Sequence, residues 1–246
     1  MIPLKNASDV NKMKEGGKIL HEALKSLENE AVVGMSLLEL DRLASDFILK
    51  NNAKPSFLGY ENFPNSICTS VNSVVVHGIP DEYILKDGDI ISIDAGVFYK
   101  GFHTDSAITF GIGKIDKKAL DLIDTTKKSL NEAIKLVRPG IRLGDISFCI
   151  QDYVEKKGFG IVRELVGHGI GHNVHELPQI PNYGKKGSGI ELEEGMVLAI
   201  EPMVTEGDHH IKMSDDGWGV ETKDGKLSAH FEHTVAVVKN GSIILT

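Results

Sequence analysis

The residues of this chain best suited to chemistry are acids set among apolar neighbours. Asp94 and Asp105 lie in residues 90–110, IISIDAGVFYKGFHTDSAITF. Apolar positions alternate there at Ile91, Ile93, Ala95 and Val97 and resume at Phe102, Ile108 and Phe110, which predicts a β-hairpin turning at Tyr99-Lys100-Gly101. With Tyr99 and Lys100 as the loop, Asp94 stands opposite Asp105, on a face whose other members, Ser92, Gly96 and Ala107, are small. Like charges facing each other across a ladder are destabilising unless something neutralises them, and a cation does so. On the hairpin alone, the pair reads equally well as two solvated acids on a wet sheet face. Two further acids weigh against that reading. Glu201 closes the apolar run 195–200, and Glu232 lies between Phe231 and His233 on a strand with apolar neighbours. Little arginine is near to pair with four such acids, and unpaired buried charge is very costly. Two dications would balance four negative charges, and carboxylates bridging ions about 3.5–4 Å apart are the usual construction of a two-metal hydrolytic site. Residues 165–183, LVGHGIGHNVHELPQIPNY, add His168, His172 and His175. Their spacing fits neither a HExxH helix nor a Cys/His zinc site, and the glycines at 167, 169 and 171 exclude a helix. A mostly oxygen set with one histidine suits manganese, iron, cobalt or zinc.

The elements that must position these residues are read from periodicity. Ser8 or Asp9 is the expected cap of a first helix with Met13, Ile19, Leu20, Ala23, Leu24 and Leu27 in its stripe. Gly34 breaks it, and a second helix follows Ser36, with Glu39 completing a capping-box pattern. Residues 71–76 read as a strand, as do 218–223 and 226–238 around an Asp224-Gly225 hairpin turn. Adding 106 to a residue number carries Leu24 to Leu130, Gly34 to Gly140, Leu37 to Leu143 and Leu40 to Ile146. That predicts an internal duplication: two α+β halves of antiparallel sheet and helices, sharing a central cleft. The 246 residues carry a net charge of −8, which argues against general phosphate-backbone binding. Two cysteines are too few for a disulfide framework, so a reducing compartment is expected. No apolar run reaches membrane-spanning length.

Five ordered segments carry a resemblance over essentially the whole chain: VVVHGIP at 74–80, IDAGVFYKGFHTDSA at 93–107, GHGIGHNVHELPQIPNY at 167–183, AIEPMV at 199–204 and AHFEHTVAV at 229–237. They closely resemble the type I methionine aminopeptidases, of the pita-bread fold. The resemblance implies metal ligands at Asp94, Asp105, His168, Glu201 and Glu232, with Asp105 and Glu232 bridging two divalent ions (cobalt, manganese, iron or zinc). It implies catalytic roles for His77 and His175 in substrate binding and oxyanion stabilisation, and for Glu201 as proton shuttle. The pocket for a methionine side chain maps onto Tyr60, Phe63, Cys68, His77 and Trp218. Position 63 is often Tyr in relatives, and Val174 stands where they often carry a larger residue. A monovalent cation near Asn72, Val74 and Ser228 is implied as well.

The expected protein is thus one catalytic domain over residues 1–246 without an N-terminal extension. It would be cytoplasmic and monomeric, removing the initiator methionine from nascent chains when the next residue is small, by a dimetal-activated hydroxide. The ribosome is a candidate partner, while sequence-specific nucleic acid and membrane are not. The rival readings are an Xaa-Pro aminopeptidase-like hydrolase of the same fold and a non-catalytic binding protein. The first normally carries a large N-terminal domain, and the second would have lost ligands. The helical insert of type II enzymes is missing between His175 and Glu201. Cys149 is expected in the buried stripe of the fourth helix, and His209-His210 in a solvated loop.

Overall fold

The computed structural model describes residues 2–246. Its first half runs α1 (Ala7–Glu30), α2 (Leu37–Lys50), β1 (Lys54–Pro55), β2 (Ile67–Val71), β3 (Val74–Val76), β4 (Ile90–Tyr99) and β5 (Phe102–Gly111). The second half opens with α3 (Lys117–Ile134) and α4 (Leu143–Glu155), then β6 (Gly160–Ile161), β7 (Val166–Gly169), β8 (Glu176–Pro181), β9 (Val197–Ile200) and β10 (Met203–Thr205). It ends with β11 (Ile211–Met213), β12 (Val220–Thr222), β13 (Ser228–His230), β14 (Glu232–Val238) and β15 (Gly241–Ile244). The main sheet is ordered β1-β4-β5-β14-β9-β7-β8, with β2 also on β4 and β15 also on β14. The smaller sheets are β13-β10-β6 and β11-β12-β3.

Strand periodicity sorts the core from the site. Odd-numbered Ile91, Ile93 and Val97 of β4 pack with Leu20, Leu24, Leu27, Leu40 and Ile48 of α1 and α2. Even-numbered Ser92, Asp94 and Gly96 therefore face the other way. In the second half, Leu122, Leu130, Ile146 and Ile150 of α3 and α4 pack against Leu198, Ile200 and Val235. Each half thus lays its helix pair on its own strands.

The duplication is visible in the backbone. Gly34 and Gly140 both adopt left-handed φ, +94° and +85°. Gly34 N–H donates to Leu85 O and Leu37 N–H to Tyr83 O, while Leu85 N–H donates back to Met35 O. In the second half Gly140 donates to Leu192 O, Leu143 to Ile190 O, and Leu192 back to Ile141 O. Each half therefore clasps the start of its second helix to the chain entering its sheet. The halves meet where β14 pairs with β5, Glu232 opposite Ala107 and His233 opposite Ser106. Hydroxyls stitch this seam: Thr234 Oγ1 accepts from Asp105 N–H and donates to its carbonyl, and Ser106 Oγ donates to Glu232 O.

Several expectations are corrected. The hairpin pairs Tyr99 with Phe102, so Asp94 opposes Ala107 and Gly96 opposes Asp105. Lys100 and Gly101 both have positive φ, +48° and +86°. A two-residue loop with both central residues left-handed follows the right-handed strand twist, and that moved the turn one residue on. The slip amounts to two residues of register, so both acids stay on one face as diagonal neighbours. Helix α1 is capped by Asn6, not Ser8 or Asp9: Asn6 Oδ1 accepts from both of their N–H groups, and Asp9 reaches back to Asn6 N–H. At α2, Ser36 Oγ accepts from Glu39 N–H as expected. Residues 71–76 are not one strand, because Asn72 has φ +54° and sends β2 and β3 to different sheets. A turn forms one residue earlier than expected, Gly225 N–H donating to Thr222 O across Lys223-Asp224, but β12 before it pairs with β11 and β3, while β13 after it pairs with β10. Cys149 is half-buried rather than in the stripe of α4.

Candidate metal centre

The four acids and one of the histidines converge. Asp94 and Asp105 project from the β4–β5 hairpin, Glu232 opens β14, His168 sits on β7 opposite Ala199, and Glu201 follows β9 directly. Asp105, His168 and Glu232 each bring a potential ligand atom within 4.8 Å of the others'. Asp105 and Glu232 are 4% and 2% exposed. Asp94 is half-buried, and the Glu201 side chain is 13% exposed, so Glu201 is less deeply enclosed than its place after an apolar strand implies. Among the described residues none of these acids forms an ion pair with lysine or arginine; the nearby nitrogens are imidazoles, His168 Nε2 at 3.6 Å from Glu201 Oε1 and His230 Nε2 at 3.6 Å from Glu201 Oε2.

Electrostatics shows how poorly this cluster is neutralised by protein alone. Burial pushes the Asp94 carboxyl up to about 6 and Glu201 up to about 8. Burial and then neighbouring carboxylates hold Asp105 and Glu232 well above the usual carboxylate range. Asp94 Oδ1, Asp105 Oδ1 and Glu232 Oε1 are buried without a hydrogen-bond partner. Buried oxygens are almost always satisfied, so three orphans converging on one spot mark a place for cations. His168 fits the same account. Its Nδ1 lies 2.9 Å from Gly169 O, so Nδ1 carries the proton and Nε2 presents a lone pair. Burial lowers its pKa to about 3, keeping it neutral. The donor set therefore fits divalent ions of the manganese-to-zinc series.

An apolar cleft leads to the acids. Phe57, Phe63, Cys68 and Val174 form one cluster, against which Tyr60 and Trp218 pack. Phe63 and Trp218 meet edge to face at 5.2 Å. Burial raises the Cys68 thiol well above its usual value, so it lines the wall as a neutral, soft group. His175 stands at the exposed rim, edge-on to His168 at 4.3 Å, with Nδ1 2.8 Å from the Tyr60 hydroxyl. Burial raises the Tyr60 hydroxyl, so it stays protonated and is able to donate to Nδ1, an arrangement that would leave Nε2–H free to face the cleft. The loop carrying His175 is pinned by Glu176, which accepts from Asn173 N–H and pairs with buried Lys5. His77 lines the cleft in a left-handed conformation, φ +59°, which costs energy for a residue other than glycine and is typical of functional positions. Burial, then the nearby His230 and His175, lower its pKa to about 4.

Asn72, Val74 and Ser228, expected around a monovalent cation, also meet: Ser228 Oγ donates to Val74 O at 2.9 Å and its N–H to Asn72 O at 2.8 Å. His172 is outside the cluster, exposed against Phe102. His210 hydrogen-bonds exposed Asp208, consistent with a solvated loop. Three residues at the site were not singled out from sequence, Glu61 beside Tyr60 being one. Phe57 lies in the aromatic loop before the pocket positions, and His230 immediately precedes Phe231-Glu232, its signal being a histidine on an otherwise apolar strand.

Comparisons with known proteins agree with this arrangement. Residues 11–239 match metallopeptidase family M24. The chain is 53% identical over its full length to a methionine aminopeptidase of Clostridium perfringens, covering 99% of that protein. It superposes on the crystal structure of methionine aminopeptidase from Thermotoga maritima with a TM-score of 0.98 at 45% identity, over 100% of this chain and 99% of that one. The prolidase of Pyrococcus horikoshii gives a TM-score of 0.80 at 22% identity and is covered only to 63%, a likeness of fold, the pita-bread fold, and no more.

Proposed function

The chain belongs to metallopeptidase family M24 and, within it, to the methionine aminopeptidases, and from that premise we propose that it removes N-terminal methionine from polypeptides whose second residue is small. The observation that carries this reading is the Asp105–His168–Glu232 cluster at the end of a soft, apolar cleft. Asp94, Asp105, His168, Glu201 and Glu232 would hold two divalent ions, with Asp105 and Glu232 shared. Such ions supply a Lewis acid for the scissile carbonyl and an acidified water as nucleophile. The methionine side chain lies against the Phe63–Trp218 pair and Cys68, whose uncharged thiol tolerates a thioether. His77, neutral and fixed by its backbone, orients the peptide. His175 donates Nε2–H to the developing oxyanion, a role for which Tyr60 sets the tautomer. Glu201 would take the proton that the attacking water gives up and pass it to the leaving amine. The second residue would lie near Val174 and the rim at His175, so the size of Val174 bears on which side chains are accepted there.

We assign the 246 residues to one catalytic unit, because both halves contribute to the cluster. The reading places a monomer in the cytoplasm on nascent chains, at or near the ribosome. Two unpaired cysteines support a reducing compartment, and no helix among the described residues is long and apolar enough to cross a membrane. A monovalent cation at Asn72, Val74 and Ser228 would share carbonyls that Ser228 already engages, since each carbonyl keeps a second lone pair.

The test is hydrolysis of Met-Ala-Ser, Met-Leu-Ser and Ala-Pro-Ala by metal-stripped protein after adding back manganese, cobalt, iron or zinc. Metal-dependent release of methionine from Met-Ala-Ser, with Met-Leu-Ser and Ala-Pro-Ala left whole, is expected. Cleavage before proline would replace this reading with the Xaa-Pro one, and no cleavage with any ion would leave a binding protein.

A further inference from the structure

His230 is buried to 1% exposure, and both of its ring nitrogens lack a hydrogen-bond partner. A buried imidazole without partners is rare, because each unpaired nitrogen forfeits its hydration. Its main chain, by contrast, is held twice by one hydroxyl: Thr109 Oγ1 accepts from His230 N–H at 2.9 Å and donates to His230 O at 2.6 Å. Thr109 is itself fixed by Ser92 Oγ at 2.8 Å. The ring's origin is thereby set while its polar edge is left open. That edge faces the acids of the site: Nε2 lies 3.6 Å from Glu201 Oε2, and the Asp94 carboxylate is close enough to act on the ring. The other oxygen of the Glu201 carboxylate, Oε1, is the one that approaches His168 Nε2. Glu201 is thus divided: one oxygen faces the histidine of the cluster, the other faces His230.

We propose that His230 is the positioning residue for Glu201, donating Nε2–H to Oε2 in the metal-loaded protein, so that Oε1 alone is presented to the ions and the leaving group. The inference rests on the two-ion reading above. A carboxylate free to rotate would present either oxygen, or both, to a cation. A donor on Oε2 removes that freedom before the ion arrives, and such outer partners of metal ligands are worth about 10–100-fold in metal affinity or activity. No proton leaves His230 in this role. The glutamine side chain can place an N–H donor close to where imidazole Nε2 sits, whereas asparagine reaches only as far as Nδ1, so the two amides separate hydrogen bonding from packing.

Titration of cobalt(II) into metal-free protein, followed by heat and by the visible absorption of the bound ion, reads the proposal without turnover. His230→Asn and His230→Leu should each weaken cobalt binding about 10–100-fold, alter the absorption envelope, and lower kcat on Met-Ala-Ser with little change in KM. His230→Gln should restore both binding and spectrum. Wild-type affinity and spectrum in folded His230→Asn would overturn the proposal, as would equal losses in His230→Asn and His230→Gln, which signify packing. Should His230→Leu fail to fold, the Asn and Gln pair decides alone. Failure of the unaltered protein to bind cobalt is a distinct result: it overturns the two-ion reading, and this inference with it.

Discussion

Stripped of metal, the protein should lose stability as the solution is made alkaline. Glu201 has an ordinary value of 4.5 and is pushed up to about 8 by burial. A carboxylate with a raised folded value binds more protons folded than unfolded, so its contribution is full below the unfolded value and is lost as pH rises through the folded one. Between about pH 7 and about pH 9 the unfolded carboxylate is already ionised while the folded one is losing its proton. The folded state then forfeits about 1.4 kcal/mol, one pH unit's worth of linkage, from Glu201 alone. Asp105 and Glu232, also held well above their ordinary values, act in the same direction. This window lies above the ordinary histidine value of 6.5, so the depressed histidines His77 and His168 stay neutral in both states. For a chain of this size the loss corresponds to a fall in Tm of about 3–6 °C, read by calorimetry after chelation. Glu201→Gln should flatten the slope, and the difference between the two proteins removes titrations elsewhere. With divalent ions present the acids are ionised throughout, and the slope should vanish. A metal-free Tm that holds level or rises over this window would refute the reasoning.

Asp94→Asn should abolish peptide cleavage and weaken metal binding while leaving far-UV circular dichroism unchanged; full activity in that variant would remove Asp94 from the site. Tyr60→Phe deletes the hydroxyl on His175 Nδ1. Removing one hydrogen bond of about 1 kcal/mol that fixes a tautomer should lower kcat several-fold, seen in steady-state kinetics, with metal affinity unmoved. Gly17→Ala places a Cβ 2.0 Å from Leu245 O, a backbone atom that cannot swing aside. The overpacking should cost about 1–3 kcal/mol in thermal unfolding while activity per folded molecule stays intact.

The site was more legible in the sequence than the sheet that carries it. Acids on apolar strands are anomalous wherever the strands go, so Asp94, Asp105, Glu201 and Glu232 stood out before any pairing was known. Pairing itself depends on atoms far along the chain. The chain does turn next to Asp224-Gly225, yet the flanking strands answer to partners at β3 and β10 that no local signal names. Strand alternation alone places the hairpin turn at Tyr99-Lys100, whereas the left-handed pair Lys100-Gly101 places it one residue on. Asn72 reads as strand because Val71 and Val74–Val76 surround it, and its side-chain bonds to Asp89 and Ile90 N–H explain the break. His230 escaped notice for a different reason: a histidine beside an acid invites an ion-pair reading, whereas its meaning lies in what its ring fails to touch.

The hydroxyl-stitched seam between β5 and β14 has a mechanical consequence. Asp94 and Asp105 belong to one half, and His168, Glu201 and Glu232 to the other. Direct strand pairing between the halves is limited to Ala107 with Glu232 and Ser106 with His233 at this seam, and Val76 with Val220 and Val74 with Glu221 where β3 meets β12. Whatever the acids grip is therefore gripped by both halves at once and acts as a rivet through their joint. Docking of the halves and loading of the cleft become one linked equilibrium: each cation that binds raises the work needed to pry the halves apart, and each opening of the joint lowers the hold on the cation.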